Sequence, residues 1–171
     1  EDREKMAPGS GALFSGPIGF SLEVDPETEG RQLISLDLTP AKLTVPGIGW
    51  TKDKGIAAKL DFVMQTDGSL VELSDLKLSG KGFSASGEVS LNKGQLAAAT
   101  FDHVGLSPRD DYQAVITRKG KGFVVKIGGA SVDLRPVIAL AKSSNTGNAG
   151  DSVPVEVSGS VDTMFGYSDE T

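Results

Sequence analysis

Gly55-Ile56-Ala57-Ala58-Lys59-Leu60-Asp61-Phe62-Val63-Met64-Gln65 decides the fold class. Ile56, Ala58, Leu60, Phe62 and Met64 share one parity, while Ala57, Lys59, Asp61, Val63 and Gln65 share the other. Successive side chains of an extended chain point to opposite faces of a sheet, so this two-residue period marks a strand with one buried face. At ~3.3 Å per residue the run makes a strand of about 36 Å, long for a globular sheet. Thr66-Asp67-Gly68-Ser69 then reads as an Asp-Gly hairpin turn, after which Leu70 to Leu78 returns antiparallel. The alternation slips at Ser74 and Asp75, the mark of a bulge.

The same pattern extends both ways. Upstream, Ile18, Phe20, Leu22 and Val24 alternate before the turn Asp25-Pro26-Glu27-Thr28-Glu29-Gly30. Ile34, Leu36 and Leu38 follow until Pro40, and Leu43 and Val45 form a shorter run before Pro46. Downstream, Phe83, Ala85, Gly87, Val89 and Leu91 lead to the turn Asn92-Lys93-Gly94, with a return from Gln95 to about Val104. Ser107-Pro108-Arg109-Asp110 breaks the pattern, and Tyr112, Ala114 and Ile116 lead to the turn Arg118-Lys119-Gly120-Lys121-Gly122. Phe123, Val125 and Ile127 lead back out. Nine or ten strands joined by short turns predict a mostly β protein, an antiparallel meander. Gly80-Lys81-Gly82-Phe83 recurs as Gly120-Lys121-Gly122-Phe123, a weak internal repeat of one hairpin unit.

One helical pattern stands apart, from Asp133 to Lys142. Pro136 suits a first helical turn, Asp133 favours the N-terminal dipole, and Lys142 suits the C-terminal end, which predicts one short helix over 135–142. The organisation expected is an irregular lead-in over 1–16, an antiparallel unit over 17–142 closing with that helix, and a polar linker over 143–152. Residues 153–171, with Val153, Val155, Val157, Gly159 and Val161, are expected to supply the first strand of a following unit and a tail. The charged start Glu1-Asp2-Arg3-Glu4-Lys5 is no signal peptide and Met6 is internal, so a segment of a longer protein is expected.

Among 171 residues, 17 Lys and Arg face 23 Asp and Glu with the signs interspersed, a net charge of −6. Phosphate backbones demand a basic stripe, so nucleic acid is not an expected partner. Cys is absent, which removes disulfides, thiol nucleophiles and sulfur-ligated metals, and a single His rules out a multi-histidine centre. With 22 Gly, 8 Pro and 6% aromatics, the composition is that of short strands and glycine turns. No apolar stretch reaches the ~18–20 residues that span a bilayer.

Candidate chemistry weighs lightly. His103 follows Asp102, and serines are many, but no Gly-x-Ser-x-Gly elbow precedes a helix, so a strand histidine is expected rather than a triad. The Gly-Lys-Gly turns lack a phosphate-loop pattern and lead into strands, not helices. Asp110-Asp111 and Asp151 lack calcium-loop spacing, and nothing in the spacing pairs Asp61 with Asp75 as acid and base. No catalytic, cofactor or metal residue is assigned, and no cofactor is expected. Trp50, in Pro46-Gly47-Ile48-Gly49-Trp50, reads first as a plug at one end of a core. The apolar parities hold many small residues, namely Ala58, Ala85, Gly87, Ala97, Ala98, Ala99 and Ala114. Such faces leave room for a covering element or for something that is not protein.

Val45 to Leu60, Leu78 to Leu91 and Ala130-Ser131-Val132-Asp133-Leu134-Arg135-Pro136 together resemble the AsmA-like proteins, closest to the large YhdP-type envelope proteins of Gram-negative bacteria. The resemblance runs from about Pro17 to Val161 and rests on strand-and-turn patterns. It implies a curved, U-shaped antiparallel sheet, the β-taco, with an apolar groove. It also implies a periplasmic segment of an inner-membrane-anchored parent, involved in phospholipid transport toward the outer membrane and in envelope integrity. Adjacent repeats of that parent would be its protein neighbours, and membrane contact would come through the parent. The sequence departs from the family in lacking the anchor helix and in being too short to bridge two membranes. The expectation is therefore a non-enzymatic conduit for acyl chains. Alternation proposes its lining: Ile56, Leu60, Phe62, Met64, Phe83, Val89, Leu91, Ile116, Phe123, Val125 and Ile127. The alternative is a self-packed β scaffold or docking module with the same strands.

Overall fold

The structure, a computed structural model, describes residues 13–24, 30–45, 48–144 and 154–166. Its strands are β1 (Phe14–Ser15), β2 (Gly19–Val24), β3 (Arg31–Asp37), β4 (Lys42–Val45), β5 (Trp50–Lys52) and β6 (Ala58–Asp67). They continue as β7 (Leu70–Gly80), β8 (Phe83–Asn92), β9 (Gln95–Gly105), β10 (Asp111–Lys119), β11 (Gly122–Asp133) and β12 (Val155–Phe165). Between β11 and β12 lies the helix α1 (Arg135–Ser144). The fold is mostly β, and its main sheet has nine strands in the order β12-β11-β10-β9-β8-β7-β6-β3-β2. Its two edge strands are not paired to each other, so this curved, antiparallel-rich sheet is not closed into a barrel.

Turn chemistry sets the registers. The tight β8–β9 turn has Lys93 and Gly94 both at positive φ, 51° and 72°, the backbone twist that hairpins favour. Asp75, at φ 52°, is the bulge expected in β7, and the pairing with β8 slips between Leu73 and Leu76. From β6 to β11 each strand pairs antiparallel with the next, as a meander should.

Three departures from the alternation reading have physical causes. β6 begins at Ala58, because Lys54, Gly55 and Ile56 belong to the turn region ahead of it, where the Gly55 N–H donates to the Thr39 carbonyl. Ile56 is therefore not a sheet residue. β3 pairs with β6, and β4 and β5 between them leave the main sheet to join β1 in a second one of order β1-β4-β5, whose strands of two to four residues are too short for a period to register. Finally, β12 starts no separate sheet. It lies parallel to β11, from Phe123↔Val155 to Asp133↔Phe165, and is the edge of the same nine strands. A parallel partner needs a crossover connection, and α1 lies between the two strands in sequence. The lead-in before Leu13 and the linker from 145 to 153 lie outside the described residues.

The core sits at one end of the strands. Ile34, Leu36, Leu38, Leu43, Ala58 and Phe83 form a buried cluster, against which Phe14, Ile18, Trp50, Leu60, Phe62, Met64 and Leu78 pack. The small sheet thus caps one face of the large one. Leu38, 1% exposed, is the apolar side chain most fully buried among the large ones, a burial worth ~1.5–3 kcal/mol.

Candidate functional site

The registers divide the large sheet into two faces of different chemistry. Directly paired residues share a face, so the pairs Leu36↔Leu60, Leu60↔Leu78, Leu78↔Ala85 and Ala85↔Val104 carry one face across β3, β6, β7, β8 and β9. Val89↔Ala99, Ala99↔Ile116, Ile116↔Val125 and Val125↔Val157 carry it on to the far edge. That face is apolar throughout these rows. The opposite face carries Lys59, Asp61, Lys77, Ser86, Glu88, Ser90, Thr117 and Lys126, with Leu33, Val63, Ala98, Val115 and Val124 among its apolar members. Nine strands ~4.8 Å apart give the apolar face a span of about 38 Å across the strands.

Ten of the eleven residues expected to line a groove fall on this face; Ile56, in its turn and 39% exposed, does not join them. The ten divide into two groups. Leu60, Phe62, Met64 and Phe83 belong to the capped core. Phe83 is buried, its ring lying over Gly80 in the space a Cβ would take, and edge-on to Trp50 with centroids 5.1 Å apart. Val89, Leu91, Ile116, Phe123, Val125 and Ile127 are half-buried and lie outside that cluster. Among the described residues, the buried core cluster does not extend to this part. Its floor is made of small residues: Ala85, Ala99 and Ala114 are buried between larger neighbours. Ala98 faces the polar side and Ala97 sits in a register slip, so these two do not contribute to it. At the edges, Phe20, Leu22 and Val24 of β2 and Val155 and Val157 of β12 are 47–62% exposed on the apolar face.

The cap is fastened by polar groups inside it. The Trp50 indole donates to the Leu106 carbonyl at 2.8 Å, the plug expected of it. Lys52 is 1% exposed, and its Nζ donates to the carbonyls of Leu38 at 2.7 Å, Ile56 at 3.0 Å and Thr39 at 3.3 Å. Burial holds its pKa below the ordinary lysine value. At the foot of α1 the Asp133 carboxylate takes both the Nε and the terminal nitrogen of Arg135, and this holds its pKa below the usual carboxylate range. Hydrogen bonds to Thr39 and to Lys59 do the same for Asp37 and Asp61. Tyr112, on the apolar face, is pushed up to about 12 by burial.

The polar face brings together one arrangement that the chain order concealed. His103 Nε2 lies 3.2 Å from Ser84 Oγ, and its Nδ1 lies 3.6 Å from Asp111 Oδ1. The partner is Asp111, not the adjacent Asp102. The connectivity is that of a triad, but the backbone groups of Ser84 are spent in the β7–β8 and β8–β9 ladders, and the side chains of His103 and Asp111 are 45% and 69% exposed. No oxyanion donor is left at the serine and no water is excluded, so the arrangement is a surface hydrogen-bonded pair with an acidic neighbour. A shallow pocket of 470 Å³ near the capped end is lined by Asp37, Thr39, Lys59, Ser79 and Lys81 together with Ala57, Ala58 and Gly80.

Comparison with protein-family models, with curated proteins and with solved structures finds no match to this chain.

The site therefore rests on geometry. Alternation located the face from β6 to β11, where the strands are long and one-sided. It did not find Arg118, which shares the apolar parity of β10 with Tyr112, Ala114 and Ile116 and packs over the Phe123 ring, 4.9 Å from its centroid. A search for apolar periods passes over such a residue. Its signal was its place two residues beyond Ile116.

Proposed function

We propose that this chain is a non-enzymatic segment of a lipid conduit, its uncovered apolar face holding phospholipid acyl chains out of water. The observation that carries the reading is the apolar face from β6 to β12, on which Val89, Ile116, Phe123 and Val125 are only half-buried and lie outside the buried core cluster. Each methylene removed from water is worth ~0.8 kcal/mol, so a twelve-carbon chain half-covered by this face gains on the order of 5 kcal/mol. An open face also lets a chain slide, because contact is non-directional and every row offers the same chemistry.

The resemblance to AsmA-like, YhdP-type proteins would put such a conduit in the periplasm of a Gram-negative cell. There it would be part of an inner-membrane-anchored parent whose adjacent repeats continue the face beyond the exposed edges β2 and β12. The scaffold reading draws on the core around Leu38 and Trp50, but Val89, Ile116, Phe123 and Val125 are not among the members of that core.

A photo-crosslinking amino acid at Ile116 or Val125, expressed in a Gram-negative periplasm, should capture phospholipid, while one at Thr117 or Val124 should not. Equal capture from both faces, or none from either, would overturn the conduit reading.

A further inference from the structure

We infer that Arg118 is a headgroup site at the rim of the trough, taking the anionic phosphate ester of a diacyl lipid whose chains lie along Phe123, Val125 and Ile116. The inference rests on the conduit reading and adds a chemical preference to it. Arg118 sits where the apolar face meets the β10–β11 turn, paired with Phe123. Its Nε donates to the Leu96 carbonyl at 2.7 Å and its guanidinium packs over the Phe123 ring, so two contacts fix the plane of the group. Among the described residues no carboxylate forms an ion pair with it. A guanidinium has five N–H donors in a rigid fork that matches phosphate oxygens, and the Leu96 carbonyl engages one of its nitrogens.

The surroundings carry the same sign. This rim holds Lys93, between β8 and β9, Lys119, at the end of β10, and Lys121, between β10 and β11, all exposed, with Asp67 at the end of β6 two hairpins away. Lys119 is engaged by Glu156 at 3.1 Å, which leaves Lys93 and Lys121 to add to the field. In a chain of net charge −6 this is a local reversal. An anion arriving at the rim meets a fixed fork flanked by ammonium groups, and directly inward meets only apolar side chains. A molecule with a phosphate at one end and hydrocarbon at the other complements both.

The test titrates the full chain with three probes: a six-carbon diacyl phosphatidylglycerol, the uncharged six-carbon diacylglycerol, and inorganic phosphate. The phospholipid should bind about tenfold more tightly than the diacylglycerol at low salt, and inorganic phosphate far more weakly than either. Arg118→Gln should erase that preference while leaving diacylglycerol affinity within about twofold. Arg118→Lys, which keeps the charge but loses the fork, should fall between. Lys121→Gln, on an exposed turn and harmless to folding, should lower the preference about twofold and serves as the readout if Arg118→Gln fails to melt cooperatively. A preference that is absent in the wild type, or that survives both Gln variants, would overturn the headgroup site while leaving the trough standing. Inorganic phosphate binding as tightly as the lipid would overturn it in favour of a free-phosphate site. Failure of either lipid to bind the wild type would overturn the trough itself.

Discussion

The Trp50 indole and the Leu106 carbonyl, 56 residues apart in sequence, meet at 2.8 Å and tie the small sheet to the end of β9. The bond joins a strand of three residues to a sheet of nine, and the Trp50–Phe83 contact lies beside it.

Trp50→Phe should keep the ring contact, lose this bond and leave the Leu106 carbonyl unpaired, at a cost of about 1–2 kcal/mol. Trp50→Ala should cost about 3–5 kcal/mol by adding a cavity. Urea unfolding followed by circular dichroism measures both; a Phe variant as stable as the wild type would mean that the bond contributes nothing.

Lys52 should matter as much, for a different reason. Lys52→Met retains the stem but orphans carbonyls of Leu38, Thr39 and Ile56, so a loss of about 3 kcal/mol or more is expected. Because burial lowers the pKa of Lys52 from 10.5, the unfolded chain binds more protons between the folded value and 10.5. Stability through this group therefore rises with pH across that window. The gap between wild type and Lys52→Met should widen as the pH is raised toward 10.5, and a gap that stays flat would contradict the burial of the ammonium.

Asp133 supplies the acid limb. Its carboxylate is held below the ordinary 3.8 by Arg135, so its contribution is present above that value and disappears as pH falls through the lowered one. Asp133→Asn should be less stable than wild type at neutral pH, by about 1–3 kcal/mol, and the two unfolding curves should converge below pH 4. Parallel curves from pH 7 to 3 would show that the pair is energetically silent.

Much of this was legible in the chain because Leu60 to Leu91 alternates with little interruption, and a one-sided sheet writes its faces directly into sequence parity. Even the bulge at Asp75 announced itself as a slipped period. What stayed hidden depends on contacts that parity does not encode. Nothing near Val155 distinguishes a parallel partner for β11 from the first strand of a new unit. β1 and β5, at two and three residues, are shorter than the pattern they would have to show. Ile56 continues the apolar parity of β6, yet the Gly55 turn ends the strand before reaching it. Ser84, His103 and Asp111 meet only through the β8–β9 and β9–β10 registers.

That last arrangement yields a direct check on the non-enzymatic reading. With its backbone committed to the ladders, Ser84 has no oxyanion site, so a fluorophosphonate probe should leave it unlabelled, and Ser84→Ala should shift stability by less than about 1 kcal/mol. Covalent labelling at Ser84 that disappears in His103→Ala would establish an activated serine and remove the basis for calling the chain a passive conduit.

The trough makes a prediction about stability that separates its two halves. Leu36 and Val89 both lie on the apolar face, but Leu36 is 9% exposed within the capped core, whereas Val89 is half-buried outside that core. A carboxylate in place of Leu36 has no route to water and should cost more than about 4 kcal/mol, enough to abolish a cooperative transition in a domain of ordinary stability. The same carboxylate at Val89 can hydrate through the open side, so Val89→Asp should cost about 1–2 kcal/mol, mostly lost strand packing, and unfold cooperatively in urea. It should at the same time abolish lipid capture by a crosslinker at Val125, because a charge then stands on the face along which the chains lie. Equal destabilisation at the two positions would mean that the far half of the face is sealed in solution, and the scaffold reading would replace the conduit.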